Sequence, residues 1–253
     1  MKFGKTIKQE IEYMETWSDK FMSYLELKKQ IKNVKNSLEH SRRSQSASNF
    51  SETRFDYGSG EKERFFRRIR ADIHTVDHFY RKNLSLLRGS LNEIKLELEQ
   101  ETKKESISEN DIKAVDRKFL HKSNIKSRLE SVYELLAVLQ HYCEINATGF
   151  RKIVKKWDKV TSERNLSSFM SQILDKTRFK AHFELVCALA EIEALYSRLF
   201  MDNDIEATRK HLALLKVNVR LANGKEQSVF RLIRMLIRMF RDGIGDMRRR
   251  KSQ

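Results

Sequence analysis

From Phe65 to Leu98 the apolar residues Phe65, Ile69, Ile73, Val76, Tyr80, Leu84, Leu87, Leu91, Ile94 and Leu98 recur every three or four positions, and no proline occurs anywhere in the 253-residue chain. A three-to-four step places side chains on one side of a helix, and the absence of proline removes the strongest helix breaker. The stripe therefore predicts a single helix about 50 Å long at 1.5 Å per residue. A second stripe takes Ile125, Leu129, Val132, Leu136, Leu139, Cys143, Asn146, Phe150, Ile153 and Trp157; a third takes Phe169, Ile173, Phe183, Val186, Leu189, Ile192, Tyr196 and Phe200. Each alone would leave an apolar face in water. Together they predict an all-α protein built as an elongated helical bundle.

Connections fall where the period fails. Ser44 to Glu61 is rich in Ser and Gly and reads as a surface loop, and Gln100 to Asp111 as a loop or a frayed helix end. Thr161 to Asn165 carries capping residues ahead of the third stripe. Asn223-Gly224 marks a helix stop or a tight turn. The alternation Val217, Val219, Leu221 before it admits a short hairpin, with a helix preferred. At the N-terminus one short helix is expected from about Lys2 to Tyr13 and a second from about Ser18, held down by Trp17, Phe21 and Leu25.

Charge narrows the function. The chain has 51 Lys and Arg against 35 Asp and Glu, a formal net charge of +16, which favours an anionic partner. Two cysteines, Cys143 and Cys187, are too few for a disulfide-stapled scaffold and read as buried small hydrophobes in a reducing compartment. No uncharged apolar run reaches the roughly 18 residues a spanning helix needs, and the opening MKFGKTIKQE lacks a secretory core. His74 and His78 lie four apart on a helix without an apparent third ligand, so a structural or surface role is preferred to a metal site. No glycine-rich phosphate cradle, nucleophile elbow or acid/base constellation is evident, so an enzyme is not expected.

The basic residues are ordered, however. In Asn146 to Lys159, NATGFRKIVKKWDK, helical geometry turns Phe150, Ile153, Val154 and Trp157 one way and Lys152, Lys155, Lys156 and Lys159 the other. Like charges at this spacing repel by a few tenths of a kcal/mol per pair. Solvation or a multiply charged anion must offset that cost, and lysines with a nearby tyrosine hydroxyl suit phosphate. Tyr24 and Lys28 form such a pair, four residues apart near the N-terminus.

Three segments in order carry a family resemblance: the opening MKFGK, the stretch SYLELKK from Ser23 to Lys29, and TGFRKIVKKWDK from Thr148 to Lys159. They resemble the signatures of the SPX domain, a phosphate-sensing module of eukaryotes, over about residues 1–200. The resemblance implies an N-terminal helical hairpin (about 1–40) packed on an elongated three-helix bundle with two very long helices (about 61–200); the remaining 201–253 read from their own residues as a helical extension ending in a basic tail. It also implies binding of inositol polyphosphates or pyrophosphates, without another cofactor, by Lys2, Tyr24, Lys28, Lys152, Lys155 and Lys159, with Tyr24, Lys28 and Lys152 as the tighter cluster. Stand-alone members restrain a partner protein, commonly a transcription factor, which implies an intracellular location in nucleus or cytoplasm.

Trp157 stands where smaller aromatics or His are usual, a difference expected to affect packing rather than ligand. The basic amphipathic segment Lys225 to Gln253, with Arg231, Arg234, Arg238 and Arg241 opposite Val229, Ile233, Leu236 and Phe240, supports a different reading. It would suit an anionic membrane surface, a partner groove or nucleic acid.

Overall fold

The computed structural model describes residues 3–47, 59–104, 112–161 and 165–222. Among these, every regular element is helical: α1 (Phe3–Tyr13), a 3-10 segment (Glu15–Lys20), α2 (Tyr24–Ala47), α3 (Ser59–Lys104), α4 (Ile112–Thr161), α5 (Asn165–Asp175), α6 (Arg178–Ala181), α7 (Phe183–Phe200) and α8 (Ile205–Ala222). The all-α expectation holds, and α3 and α4, of 46 and 50 residues, are the two very long helices. Two compact units form, Met1–Lys82 with His141–His182 and Asn83–Gln140 with Phe183–Gln253, and α3 and α4 supply a segment to each.

In the first unit the core is made by Ile7 and Trp17, Leu27 and Ile31 of α2, Phe65 and Ile69 of α3, and Phe150, Ile153 and Trp157 of α4, all buried. Trp157 lies flat on Phe65 with ring centroids 4.1 Å apart and 17° between planes. Such a pair adds about 0.5–1.5 kcal/mol beyond the area it buries. The large aromatic thus serves packing, as expected.

The N-terminal helices meet α4 through polar contacts. His141 Nε2 lies 2.8 Å from a Glu10 carboxylate oxygen. The Tyr142 hydroxyl donates to the Lys20 carbonyl at 2.7 Å. The chain then leaves the helices over 21–23, with Phe21 extended and Tyr24 N–H turned back to the Met22 carbonyl at 2.8 Å, and here Met22 N–H donates to Asn146 Oδ1 at 2.9 Å while Asn146 Nδ2 donates to the Tyr142 carbonyl at 2.8 Å. This explains a polar residue in the second stripe: fully buried Asn146 satisfies a backbone group that would otherwise be stranded. Ser23, just ahead of α2, donates through both N–H and hydroxyl to Asp72 of α3, at 2.8 and 2.5 Å.

The second helix therefore starts at Tyr24, later than the Ser18 the spacing suggests. Trp17 and Phe21 are buried as expected, but from a 3-10 turn and a linker. Leu25, assigned with them to an anchoring face, is 48% exposed. A four-residue step has helical meaning only while one helix continues, and the Asn146 and Asp72 contacts fix a break between Lys20 and Tyr24.

The third stripe is likewise divided among α5, α6 and α7. Asp77 accepts the N–H groups of Arg178 and Phe179 at 2.8 and 3.3 Å, starting α6, and His182 ends it in the left-handed region at φ 30°. The register restarts at α7, whose buried face is Leu185, Ala188, Leu189, Ile192, Leu195 and Tyr196. Phe183 and Val186, expected in the core, are exposed, and so is Cys187; Cys143 is buried as expected.

The second unit packs α7 and α8 with Leu84, Leu87, Leu91 and Ile94 of α3 and Ile125, Leu129, Val132 and Leu136 of α4. Polar pairs line its α4–α7–α8 side: Tyr196 hydroxyl donates to Glu130 at 2.6 Å, Tyr133 hydroxyl to Glu193 at 3.0 Å, and Arg209 pairs with Glu193 at 2.9 Å. Asp204 Oδ1 accepts Ala207 N–H at 2.8 Å and caps α8. That helix runs through Val217, Val219 and Leu221, so the hairpin alternative does not occur. Gln100, expected in a loop or a frayed helix end, belongs to α3, which continues to Lys104; Ser44, expected in a loop, belongs to α2, which continues to Ala47; residues 48–58 and 105–111 lie outside the described residues. The basic segment from Lys225 lies outside the described residues.

Candidate functional site

The residues singled out near the N-terminus and on α4 are brought together in the first unit around Phe3. Its ring meets Tyr24 edge-on, centroids 4.9 Å apart, and carries the Lys152 ammonium 4.4 Å from its centroid. A β-carbon on the neighbouring Gly4 would lie 3.7 Å from Tyr24 Cε1 and 3.8 Å from Lys28 Nζ. The first turn of α1 is thus a wedge with Tyr24 and Lys28 of α2 on one side and Lys152 of α4 on the other.

Local chemistry explains why each part stays in place. Tyr24 follows Ser23, whose bonds to Asp72 fix the start of α2, and Arg68 reinforces this by meeting Glu26 at 2.9 Å and Asp72 at 3.2 Å. Burial holds the Asp72 carboxyl above the usual carboxylate range, against the opposing effects of Ser23 and Arg68. On α4, Gly149 allows the close approach: a β-carbon there would sit 2.3 Å from Met22 Sδ and 3.4 Å from Phe3 Cε1. Real carbon–sulfur contacts need well over 3 Å.

The chemistry fits an anion. Tyr24 is buried as a residue, and burial pushes its phenol above the ordinary tyrosine range, so at neutral pH it remains a hydroxyl donor. Lys28, Lys152, Lys155, Lys156 and Lys159 are exposed. Among the described residues none of these five forms an ion pair with a carboxylate. Partial desolvation, then the nearby Lys28 ammonium, lower the Lys156 pKa. A polyanion beside Lys156 and Lys28 would offset that repulsion.

Of the six residues named from sequence, Tyr24, Lys28 and Lys152 converge on the α1 wedge. Lys155 and Lys159 continue along the same exposed side of α4, and Lys2 lies outside the described residues. Sequence reasoning missed Phe3 as the link, the need for Gly149, and the proximity of Lys156 to Lys28. A signal for the last was present, since Lys156 is four residues from Lys152 in the same lysine cluster. The Tyr24 ring is packed against Phe3, leaving the hydroxyl as its polar end. His74 and His78 are exposed, with rings parallel and 6.2 Å apart.

Comparison with known proteins identifies relatives of the chain. The sequence profile of the SPX domain matches residues 1–56 and 116–173. SPX domain-containing protein 2 of Arabidopsis thaliana is 30% identical over 208 residues, which cover 80% of this chain and 67% of that protein. The Arabidopsis phosphate transporter PHO1 is 31% identical over 88 residues, 35% of this chain and 11% of the transporter. Among solved structures, the SPX domain of Chaetomium thermophilum glycerophosphodiester phosphodiesterase 1, in complex with inositol hexakisphosphate, matches with TM-score 0.56 at 22% identity, covering 79% of this chain and 99% of that one.

Proposed function

Because the chain belongs to the SPX domain family, we propose that it senses phosphate status by holding an inositol polyphosphate or pyrophosphate on the surface built by α1, α2 and the end of α4. The reading rests above all on one observation: Tyr24 and Lys28 stand around the same first turn of α1 whose Phe3 carries Lys152, although more than a hundred residues separate them in sequence. Lys2, Tyr24, Lys28, Lys152, Lys155 and Lys159 are the ligand contacts in this reading. The lysines supply ammonium charge and Tyr24 a neutral donor that orients a phosphate oxygen.

Several phosphates fixed on one ring can meet several of these groups at once, whereas inorganic phosphate meets two or three. Each charge-assisted contact contributes about 1.5–3 kcal/mol, so a ring of phosphates gains affinity steeply over a single ion. Affinity should fall with salt as the exposed charges are screened. Occupation would neutralise the surface and fix α1 against α2 and α4, changing what docks there. A partner protein then reads the ligand state, a transcription factor being the kind the family resemblance implies. This reading requires no covalent chemistry from the chain.

Calorimetry with inositol hexakisphosphate and an inositol pyrophosphate, on wild type and Lys152→Ala, tests the proposal. Wild type should bind both, the pyrophosphate more tightly, and the variant should lose about tenfold or more. Equal affinity in wild type and variant would remove Lys152 from the site, and no binding by wild type would overturn the function.

A further inference from the structure

Beside the Phe3 wedge, α2 and the end of α4 enclose a groove of about 760 Å³ in the first unit. Its apolar lining comes from Leu25, Ile31 and Leu38 of α2 and Val160 of α4. Leu25 is 48% and Leu38 36% exposed, an unusual placement for two large aliphatic side chains amid a lysine cluster. Lys28, Lys32 and Lys35 of α2 and Lys156 and Lys159 of α4 also line it. Among the described lining residues the single acid is Glu39, which meets Lys35 at 3.4 Å.

We propose that this groove docks an acidic amphipathic helix of a partner protein. Thirteen residues separate Leu25 from Leu38 on one helix, so the groove runs about 20 Å. Lysines recur along its whole length rather than at one end. A lipid carries its charge in a headgroup and offers only hydrocarbon beyond it, so it would leave most of these ammonium groups unmatched. A chain of phosphates would match them but gain nothing from Leu25 and Leu38. An acidic helix meets both demands: apolar side chains at three- and four-residue spacing reach the leucines and Val160, while carboxylates on its flanks meet the lysines. The lysine stems also cover apolar surface while their charges stay in water.

The groove overlaps the proposed anion site at Lys28 and Lys159. Insofar as that functional reading holds, the two occupants compete, and the inositol phosphate sets the affinity for the partner helix. By reciprocity the helix weakens the anion by the same factor.

The test uses the full chain and a labelled synthetic peptide of about five helical turns, leucines on one face and glutamates flanking them. Anisotropy should show micromolar binding. A peptide of identical composition in scrambled order, which keeps the charge but loses the apolar face, should bind about tenfold more weakly. The variant Lys32→Glu/Leu38→Asp changes two exposed positions outside the proposed anion contacts. It should lose the peptide about tenfold while keeping its far-ultraviolet dichroism and its inositol hexakisphosphate affinity.

Equal binding of the scrambled peptide, or an unchanged affinity in the variant, overturns the proposal. So does retention on phosphatidylserine vesicles that the variant abolishes while the peptide fails to bind. Saturating inositol hexakisphosphate should raise the apparent peptide Kd about fivefold or more. No change would overturn the shared-lysine coupling. If wild type binds the peptide but not inositol hexakisphosphate, the anion reading fails and the docking surface stands.

Discussion

Gly149→Ala is the substitution whose sign the structure decides. In the interior of a helix, replacing Gly by Ala normally stabilises by about 0.8–1 kcal/mol, because Ala restricts the unfolded backbone. At Gly149 the new methyl would lie 2.3 Å from Met22 Sδ and 3.4 Å from the Phe3 ring. Met22 is 1% exposed, with its backbone N–H held by Asn146, so it has little room to withdraw. Overpacking of this kind costs about 1–3 kcal/mol, leaving a net change from about zero to 2 kcal/mol of destabilisation.

Gly89 of α3 supplies the control. A β-carbon there meets nothing within 4 Å, and Gly89→Ala should give the ordinary stabilisation. The two substitutions should differ by about 1–3 kcal/mol in urea unfolding, read as midpoint shifts at constant slope. Met22→Ala should cost about 2–4 kcal/mol in wild type but clearly less in the Gly149→Ala background, because it removes the atom the methyl strikes. If Gly149→Ala stabilises as much as Gly89→Ala, or the Met22 cycle shows no coupling, the close approach of α4 to the 21–23 link is refuted.

Other expectations concern the same framework. Tyr24→Phe should leave stability within about 1 kcal/mol, since the ring stays beside Phe3, yet weaken inositol hexakisphosphate about fivefold by calorimetry; unchanged affinity would exclude the hydroxyl from the site. Asn146→Ala strands the buried Met22 N–H and should cost about 1–3 kcal/mol in chemical unfolding; a neutral result would mean that water or a shifted backbone replaces the amide.

Glu134 gives the pH prediction. Burial, then the Glu130 charge, push its carboxyl up from the ordinary 4.5 to about 7. The folded state therefore holds a proton that the unfolded state releases, and this contribution is fully present below pH 4.5 and lost as pH rises to about 7 and beyond. Glu134→Gln should accordingly stabilise above neutrality by about 1–2 kcal/mol, discounted for partial solvent access, and flatten the stability profile over that window. A parallel profile in wild type and variant would contradict the shift.

The long helices were legible because their apolar steps persist through many turns: nearly all members of the α3 and α4 stripes, from Phe65 to Ile94 and from Ile125 to Trp157, are buried. The cationic groups of the site were legible because helical geometry alone turns Lys152, Lys155 and Lys159 away from Phe150 and Trp157. The break before Tyr24 was hidden, because it depends on Asn146 and Asp72, distant residues that fix a non-helical linker. The division of the third stripe was hidden for the same reason, Asp77 being about a hundred residues from the N–H groups it receives. Phe3 offered no local sign of its role: an aromatic near a chain start says nothing about which ammonium will rest on it.

In the proposed function the start of α2 and the end of α4 form one binding surface for one multiply phosphorylated anion. Hydrogen exchange read by mass spectrometry across an inositol hexakisphosphate titration tests it most directly. Peptides containing Tyr24 to Lys28 and Lys152 to Lys159 should gain protection together, with one midpoint concentration. Protection of one segment without the other, or two separate midpoints, would contradict it.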